Sequence, residues 1–295
     1  MPEEPLEPWF VVPAFGRPDA TRRALGSLRD DGARNVLLVD DEGRGHGEGM
    51  AAAFPGLRLL RTETPVFWTG AIRLGVERAL REGACGVVFF NQDVTMESGY
   101  LDRLRASAAR FPGAVLGCVV LYGQDRGRVW SAGARMEWLG RGFRMLHHGR
   151  PATELPTEPF PVDWAHGMGT FVPAEVFARI GLPDADRFPM AWGDAEFGLR
   201  ARKAGVPVLV DPVLRLVHEV GEYDPRVGGA PGLREYLSRL RSDRHYLSLP
   251  AQAEIWRRYG PRGLRRASLA LRVLFLLANW LRIRVLFRAG TKPSP

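Results

Sequence analysis

The run Val87-Val88-Phe89-Phe90-Asn91-Gln92-Asp93 constrains this chain more than any other. Four apolar residues, two of them β-branched, pass directly into three polar ones ahead of Val94-Thr95. An unbroken apolar run of that length reads as a strand covered on both faces, the kind found in parallel sheets. Such a strand ends by delivering Asp93 to the carboxyl edge of the sheet, where open α/β sheets bind ligands. No cationic residue adjoins Asp93 in sequence. Its carboxylate therefore suits a divalent ion such as Mg²⁺ or Mn²⁺, which commonly also takes substrate phosphates. A strand-ending turn with a solvated Asp fits the same residues equally well.

The flanking sequence repeats the strand pattern. Trp9-Phe10-Val11-Val12-Pro13 reads as a first strand, Arg17 to Leu28 as a helix, and Asn35 to Val39 as a second strand running into Asp40-Asp41. Leu57 to Leu60 makes a third strand, and a helix from Trp68 to Arg81 carries Ile72, Val76, Ala79 and Leu80 on one face. Strands alternating with helices predict a doubly wound, mostly parallel sheet with right-handed crossovers. After Val115–Leu121 the pattern changes. Gly, Trp and Met become frequent and the segments shorten until about Phe160. Helices are predicted over Pro173–Ile180 and Asp194–Ala204. Strands are predicted over Val206–Val210 and Leu214–Val217, with Pro207 marking an edge or a strand start. Leu233–Arg244 and Leu264–Arg288 read as helices. No linker interrupts the chain, so residues 1–120, 121–231 and 232–295 are expected to be two halves of one fold followed by a helical tail.

At 295 residues the chain can bury a substantial core, and 45% hydrophobic with 25% charged residues is ordinary for a globular protein. Cys85 and Cys118 sit among apolar residues and predict reduced, buried thiols in a cytoplasm. The acidic start, Met1-Pro2-Glu3-Glu4, has no apolar signal core. The net charge of +8 is concentrated at one end. From Ile255 onward there are nine arginines and Lys292 but no Asp or Glu, which leaves 31 basic against 33 acidic residues elsewhere. The body is thus near neutral, which argues against nucleic acid as its partner. On a helical wheel extended through the last helix, Arg262, Arg265, Arg266, Arg272, Arg284 and Arg288 share an arc of roughly 160°. The apolar stretch Val273–Leu281 is well short of the ~20 residues a membrane span needs. An interfacial helix on an anionic membrane is expected, which would place the protein in the cytoplasm with a peripheral position at the inner face of the membrane. A helix docked on the body or on a second subunit, as in a homodimer, is the other reading.

Several polar groups can converge at the carboxyl edge. An acid at Asp40 or Asp41 can accept from a ribose hydroxyl or a base N–H, or can cap a helix or turn. In Trp192-Gly193-Asp194-Ala195-Glu196-Phe197-Gly198-Leu199-Arg200, Asp194 falls near a helix N-terminus, as a cap or as a general base. Glu196 and Arg200 form an i,i+4 pair of structural character. His218 ends a strand, as a structural residue or a ligand. The glycine-rich Gly43–Gly49 lacks the lysine and spacing of a phosphate cradle and reads as a flexible loop or lid. His46 and His147-His148 lack metal-site spacing. There is no G-x-S-x-G, Walker loop or G-x-G-x-x-G after the first strand.

Taken in order, these segments resemble glycosyltransferase family 2 with the GT-A fold, and its rhamnosyltransferase-like members in particular. Val12-Pro13-Ala14-Phe15-Gly16-Arg17 resembles the opening strand and turn over the nucleotide. Val39-Asp40-Asp41 resembles the Val-Asp-Asn that touches base or ribose. Trp68-Thr69-Gly70-Ala71-Ile72-Arg73-Leu74-Gly75 resembles the donor-side helix. Asn91-Gln92-Asp93 falls at the D-x-D metal motif, Trp164-Ala165-His166-Gly167-Met168-Gly169 at the acceptor-side segment, and Trp192 to Phe197 at the E-D-x-D-like base motif. The resemblance implies donor contacts from Pro13, Phe15, Arg17, Asp40, Trp68, Gly70, Asn91 and Gln92. It implies Mn²⁺ or Mg²⁺ on Asp93 and His218, with Asp194 as base. Four positions depart from it: Asn91 replaces the first acid of D-x-D, Gly193 the acid before the base, Glu196 the later Asp, and Arg73 a common Asn. The expected activity is inverting transfer from a nucleoside diphosphate sugar to a saccharide or lipid-linked acceptor. The rivals are a GT-A-fold nucleotide-sugar-binding or scaffold protein without turnover, and a sugar-phosphate nucleotidyltransferase, which would want a Gly-rich signature after the first strand.

Overall fold

A computed structural model describes residues 6–44, 46–219 and 231–288. Gly45, Val220, Gly221 and Lys292 lie outside them. Strand β1 (Trp9–Ala14) leads through helix α1 (Pro18–Asp30), β2 (Asn35–Asp40), α2 (Gly47–Ala53), β3 (Arg58–Arg61) and α3 (Phe67–Arg81) to β4 (Gly86–Phe89). The four strands are parallel, in the spatial order β3-β2-β1-β4. Val11, Leu37, Val39, Val87 and Phe89 pack on one face with Ile72, Val76 and Ala79 of α3. Phe10, Val12, Leu38, Val88 and Phe90 pack on the other with Ala24, Leu25 and Leu28 of α1. Cover on both faces is the reason these strands read as continuous apolar runs. Helix α1 opens with Pro18 and carries Asp19 in its first turn; a missing N–H is harmless there, and a carboxylate is favoured by the helix dipole.

The second half folds onto the same sheet through β5 (Val94–Met96), α4 (Tyr100–Arg110), β6 (Val115–Tyr122), β7 (Val129–Ser131), β8 (Ala134–Glu137), β9 (Gly142–Met145), β10 (Phe160–Pro161), β11 (Thr170–Pro173), α5 (Ala174–Ile180), α6 (Gly193–Lys203) and β12 (Val208–His218). Strand β11 enters antiparallel between β4 and β6, and β12 runs parallel to β6 on its far side. Where the sequence predicted two strands over 206–217, there is one. Pro207 precedes it, and a register shift between Asp211 and Arg215 accommodates Pro212. That continuous strand carries His218 across the sheet to pair with Val94, the residue after Asp93.

Two expectations change on inspection. Gly43–Gly49 is largely ordered structure: Asp41–Gly43 is a 3₁₀ turn, and Gly47 begins α2. A Cβ on Gly47 would lie 2.5 Å from Leu59 and 2.8 Å from the Asp40 carboxylate, so glycine there serves close packing. Cys118 is buried as expected, but Cys85 is exposed, because it lies in the turn ahead of β4.

The tail forms α7 (Leu233–Arg241), α8 (Leu249–Tyr259) and α9 (Arg265–Arg288). Sequence reading missed α8, although Ser248 caps it by accepting from the Ala251 N–H and Pro250 sits in its first turn. Ala251, Ile255 and Trp256 of α8 share a core with Trp164, Phe188, Trp192, Ala195 and Leu199. The fully buried Glu196 of α6 accepts from Arg258 Nη1 at 3.0 Å and Tyr259 Oη at 2.6 Å, as well as from Arg200 Nη2 at 3.0 Å. The i,i+4 pair read from sequence is therefore part of a buried network that docks the tail onto α6.

Candidate active site

The loop after β1 and the loop after β4 are clamped to each other. The Phe15 N–H donates to Gln92 Oε1 at 3.0 Å, and Gln92 Nε2 donates to the Phe15 carbonyl at 3.0 Å. Thr21 Oγ1 adds a third bond to the same Oε1 at 3.0 Å. The Gln92 amide thus shapes the loop that carries Pro13, Phe15 and Arg17. Gly16 turns this loop with φ +62, leaving the Phe15 ring exposed with the Arg44 guanidinium above it.

Two carboxylates at the end of β2 hold backbone. Asp40 Oδ2 accepts from the Gly47 N–H at 2.9 Å. Asp41 Oδ1 accepts from the Val66 N–H at 2.9 Å and from Thr62 Oγ1 at 3.0 Å, while Oδ2 accepts from the Phe67 N–H at 3.1 Å. Asp41 therefore caps α3 from another strand. Of the two roles left open for the Asp40-Asp41 pair, Asp41 takes the cap. Gly70, one turn into α3, is buried against Val66.

The cation partner that Asp93 lacks in sequence is supplied by the fold. Arg17 Nη1 donates to Asp93 Oδ2 at 2.9 Å, and His218 Nε2 lies 3.5 Å from the same oxygen. Burial works to raise the Asp93 pKa, but the hydrogen bond and charge of His218 and the charge of Arg17 outweigh it and hold the carboxyl below its ordinary value. His218 Nδ1 is buried without a hydrogen-bond partner. Asp93 and His218 thus converge on one point as an oxygen and a nitrogen donor. Two protein ligands completed by phosphate oxygens and water match how small divalent cations are commonly held, so the pair fits the ion expected from sequence. Among the described residues no third His, Cys, Asp or Glu joins them. Asn91, in place of an acid, accepts the Trp68 indole N–H at 2.7 Å.

A cavity of about 510 Å³ is lined in part by Trp68, Asn91, Trp130, Trp164, His166 and Asp194. Asp194 stands in the first turn of α6. Its Oδ2 accepts from the Gly167 N–H at 3.2 Å, and its Oδ1 accepts from the Ala195 N–H at 2.8 Å. Gly167 admits the Trp68 ring: a Cβ there would fall 2.0 Å from it. Trp192 is fixed by its indole N–H donating to the Tyr246 carbonyl at 2.9 Å. His166 hydrogen-bonds Ser131 Oγ at 2.8 Å. Burial pushes its pKa down, against the pull of the nearby Asp194 charge. Trp130 packs edge-on against both His166, at 5.7 Å, and His218, at 5.0 Å, so one ring joins the cavity to the Asp93 cluster. Asp194 lines the cavity itself, whereas Asp93 lies two residues beyond its lining residue Asn91. Sequence reading named Trp68, Asn91 and Asp194 among these residues and missed Trp130, Phe143, Met190 and Tyr246. The Gly-, Trp- and Met-rich stretch between residue 121 and about Phe160 was a signal for Trp130 and Phe143, but Met190 and Tyr246 lie beyond it.

The glycosyl transferase family 2 model matches residues 9–169, more than half of the chain and the whole span from β1 to the Gly167 turn. The chain belongs to glycosyl transferase family 2. It is similar to a solved structure of GalNAc-T7 with UDP, GalNAc and Mn²⁺, which superposes with a TM-score of 0.59 over 99% of this chain and 59% of that one at 14% identity. At that identity the likeness establishes the GT-A fold alone. A dTDP-rhamnosyl transferase, RfbF of Shigella flexneri, is 26% identical over 159 residues, which is 54% of this chain and 51% of the relative. The family 2 chain thus spans about half the length of the curated relative it matches.

Proposed function

We propose that this protein transfers a sugar from a nucleoside diphosphate sugar to a hydroxyl of a saccharide or lipid-linked acceptor, with inversion at the anomeric carbon. The observation that carries the proposal is the position of Asp194 in an aromatic cavity also lined by Asn91, two residues before the Asp93 that bonds Arg17 and lies beside His218. Flat rings lining a cleft suit the apolar faces of sugars, and a carboxylate among them can take the hydroxyl proton.

In this reading the exposed Phe15 ring and Asp40 lie on the base and ribose side, and Arg17 faces the diphosphate. Trp68 and Asn91 form the wall between donor and acceptor. Asp194, with its oxygens fixed by the Gly167 and Ala195 amides, accepts the proton as the acceptor oxygen attacks the anomeric carbon from the face opposite the departing diphosphate. Placement of the two reactants, together with countercharge for the leaving group, carries most of the rate. Asp93 and His218 would hold Mn²⁺ or Mg²⁺, which when bound supplies further countercharge to the diphosphate.

Donor hydrolysis and transfer, measured with dTDP-rhamnose first and then other nucleoside diphosphate sugars, with and without Mn²⁺, test the proposal. Turnover that is lost in Asp194→Asn while nucleotide still raises the melting temperature supports it. Nucleotide binding without turnover for any sugar would leave the non-catalytic binding protein instead.

A further inference from the structure

Helix α9 is held by one side only. Ser268, Arg272 and Leu276 are buried against the body. Arg272, 3% exposed, donates through Nε to Gln252 Oε1 at 2.6 Å and through Nη1 to the carbonyls of Gly140 and Arg141. Burial pulls its pKa down to about 10. Tyr236 Oη donates to the Leu276 carbonyl at 2.8 Å, and the Trp280 ring stacks on Tyr236. The sequence-based arginine arc is corrected here: Arg272 points into the protein and anchors the helix.

The opposite side is apolar and open. Leu271, Leu274, Phe275, Leu277, Leu281 and Val285 are all exposed, Leu274 by 61% and Val285 by 65%. With the exposed Ala267, Ala270 and Ala278 they fill an arc of roughly 160° at helical spacing. Arg266 and Arg284 border this arc on one side, and Arg282 falls just inside its other edge, about 20° short of Phe275. At the root of the helix, Lys203, Arg262 and Arg265 line an open cleft of about 420 Å³. The cleft's other basic groups, Arg202 and Arg258, are ion-paired with Asp163 and with Glu196, Asp184 and Glu254.

We infer that this face of α9 lies in the interface of an anionic lipid bilayer, with the apolar arc among the acyl chains and the bordering arginines at the headgroup phosphates. Among the described residues no helix is long and apolar enough to cross a membrane. A long helix with an apolar face edged by arginine lies in the interface plane. A second copy of the chain is a poorer occupant: α9 contains no carboxylate, so two such helices would bring arginine against arginine. The inference is independent of the transferase proposal, since it uses no residue of the cleft around Asp194.

The test is sedimentation of the full-length protein with phosphatidylcholine vesicles, with or without one third phosphatidylglycerol. The wild type should pellet with the anionic vesicles and remain largely soluble with the neutral ones. The double variant Leu274→Glu/Leu281→Glu should lose binding by at least about tenfold, with unchanged melting temperature and nucleotide binding, because both side chains are exposed. Arg266→Glu/Arg282→Glu should lose the preference for anionic lipid. A wild-type protein that stays in the supernatant with anionic vesicles, or a leucine variant that binds as well as wild type, overturns the inference. So does a concentration-dependent dimer, seen by analytical ultracentrifugation, that the leucine variant abolishes.

Discussion

The proposed donor and acceptor sides are made differently. On the donor side the polar side chains at the strand ends are engaged with the protein itself: Gln92 with the Phe15 backbone, Asp41 with the start of α3, Asp93 with Arg17. On the acceptor side the wall is aromatic, and it is assembled from short segments far apart in sequence, from Trp68 to Tyr246. The first side presents charge at fixed positions. The second presents ring faces with one carboxylate among them. A diphosphate needs fixed countercharge, whereas a sugar alcohol needs a shaped surface and a place for its proton, so the contrast follows the chemistry of the two proposed substrates.

Substitutions can separate the sides. The largest effect is expected from Asp194→Asn, which keeps the shape and the Gly167 contact but cannot take a proton. kcat should fall by about 10²–10⁴-fold while nucleotide affinity stays near wild type. Equal losses in both would break the division between the walls. Next is Glu196→Ala, which strips the buried partner from Arg200, Arg258 and Tyr259. Stability to urea should drop by about 3–5 kcal/mol, with the tail loosened from α6. A drop within ~0.5 kcal/mol of zero, the range of a neutral surface change, would show that the apolar core around Trp256 docks the tail without it. Arg17→Gln comes third. Binding of a nucleoside diphosphate should weaken by about tenfold, as for the loss of one charged hydrogen bond, with acceptor KM unchanged. A shift in acceptor KM alone would place Arg17 on the wrong wall.

The smallest effect is one of pH. Burial lowers the pKa of His166, so the unfolded chain binds its proton more readily than the folded one. Stability from this group is present above the ordinary histidine value of about 6.5 and declines as pH falls below it. His166→Gln should therefore flatten the melting-temperature profile between about pH 7 and pH 5. A profile identical to wild type would remove His166 from the pH response. Asp93 responds in the same sense but lower, since its pKa is held beneath the usual carboxylate range. Its contribution is present above about pH 4 and lost only on stronger acidification.

The donor half was largely legible from sequence, because β1, β2 and β4 lie between helices and declare themselves as apolar runs ending in polar residues. Asp194 was legible from its place at the head of a helix. The Arg17–Asp93 pair was not, since 76 residues separate its members and only the parallel pairing of β1 with β4 brings their following loops together. His218 beside Asp93 required β12 to run unbroken past Pro212, where local preference predicts a stop. The aromatic wall carried a signal in composition but none in order. Arg272 misled because a wheel sorts side chains by direction and cannot tell an inward guanidinium with three oxygen acceptors from an outward one.

The carboxylate of Asp41 has a consequence for how any phosphate is met. The amino end of a helix ordinarily attracts anions through its unpaired amides and its dipole, but at α3 the amides of Val66 and Phe67 are already taken by an acid from the neighbouring strand. Those two amides are thus not open to the phosphates of the proposed donor. In the proposed reading, recognition of its negative charge therefore falls to side chains, the Arg17 guanidinium on Asp93 first among them.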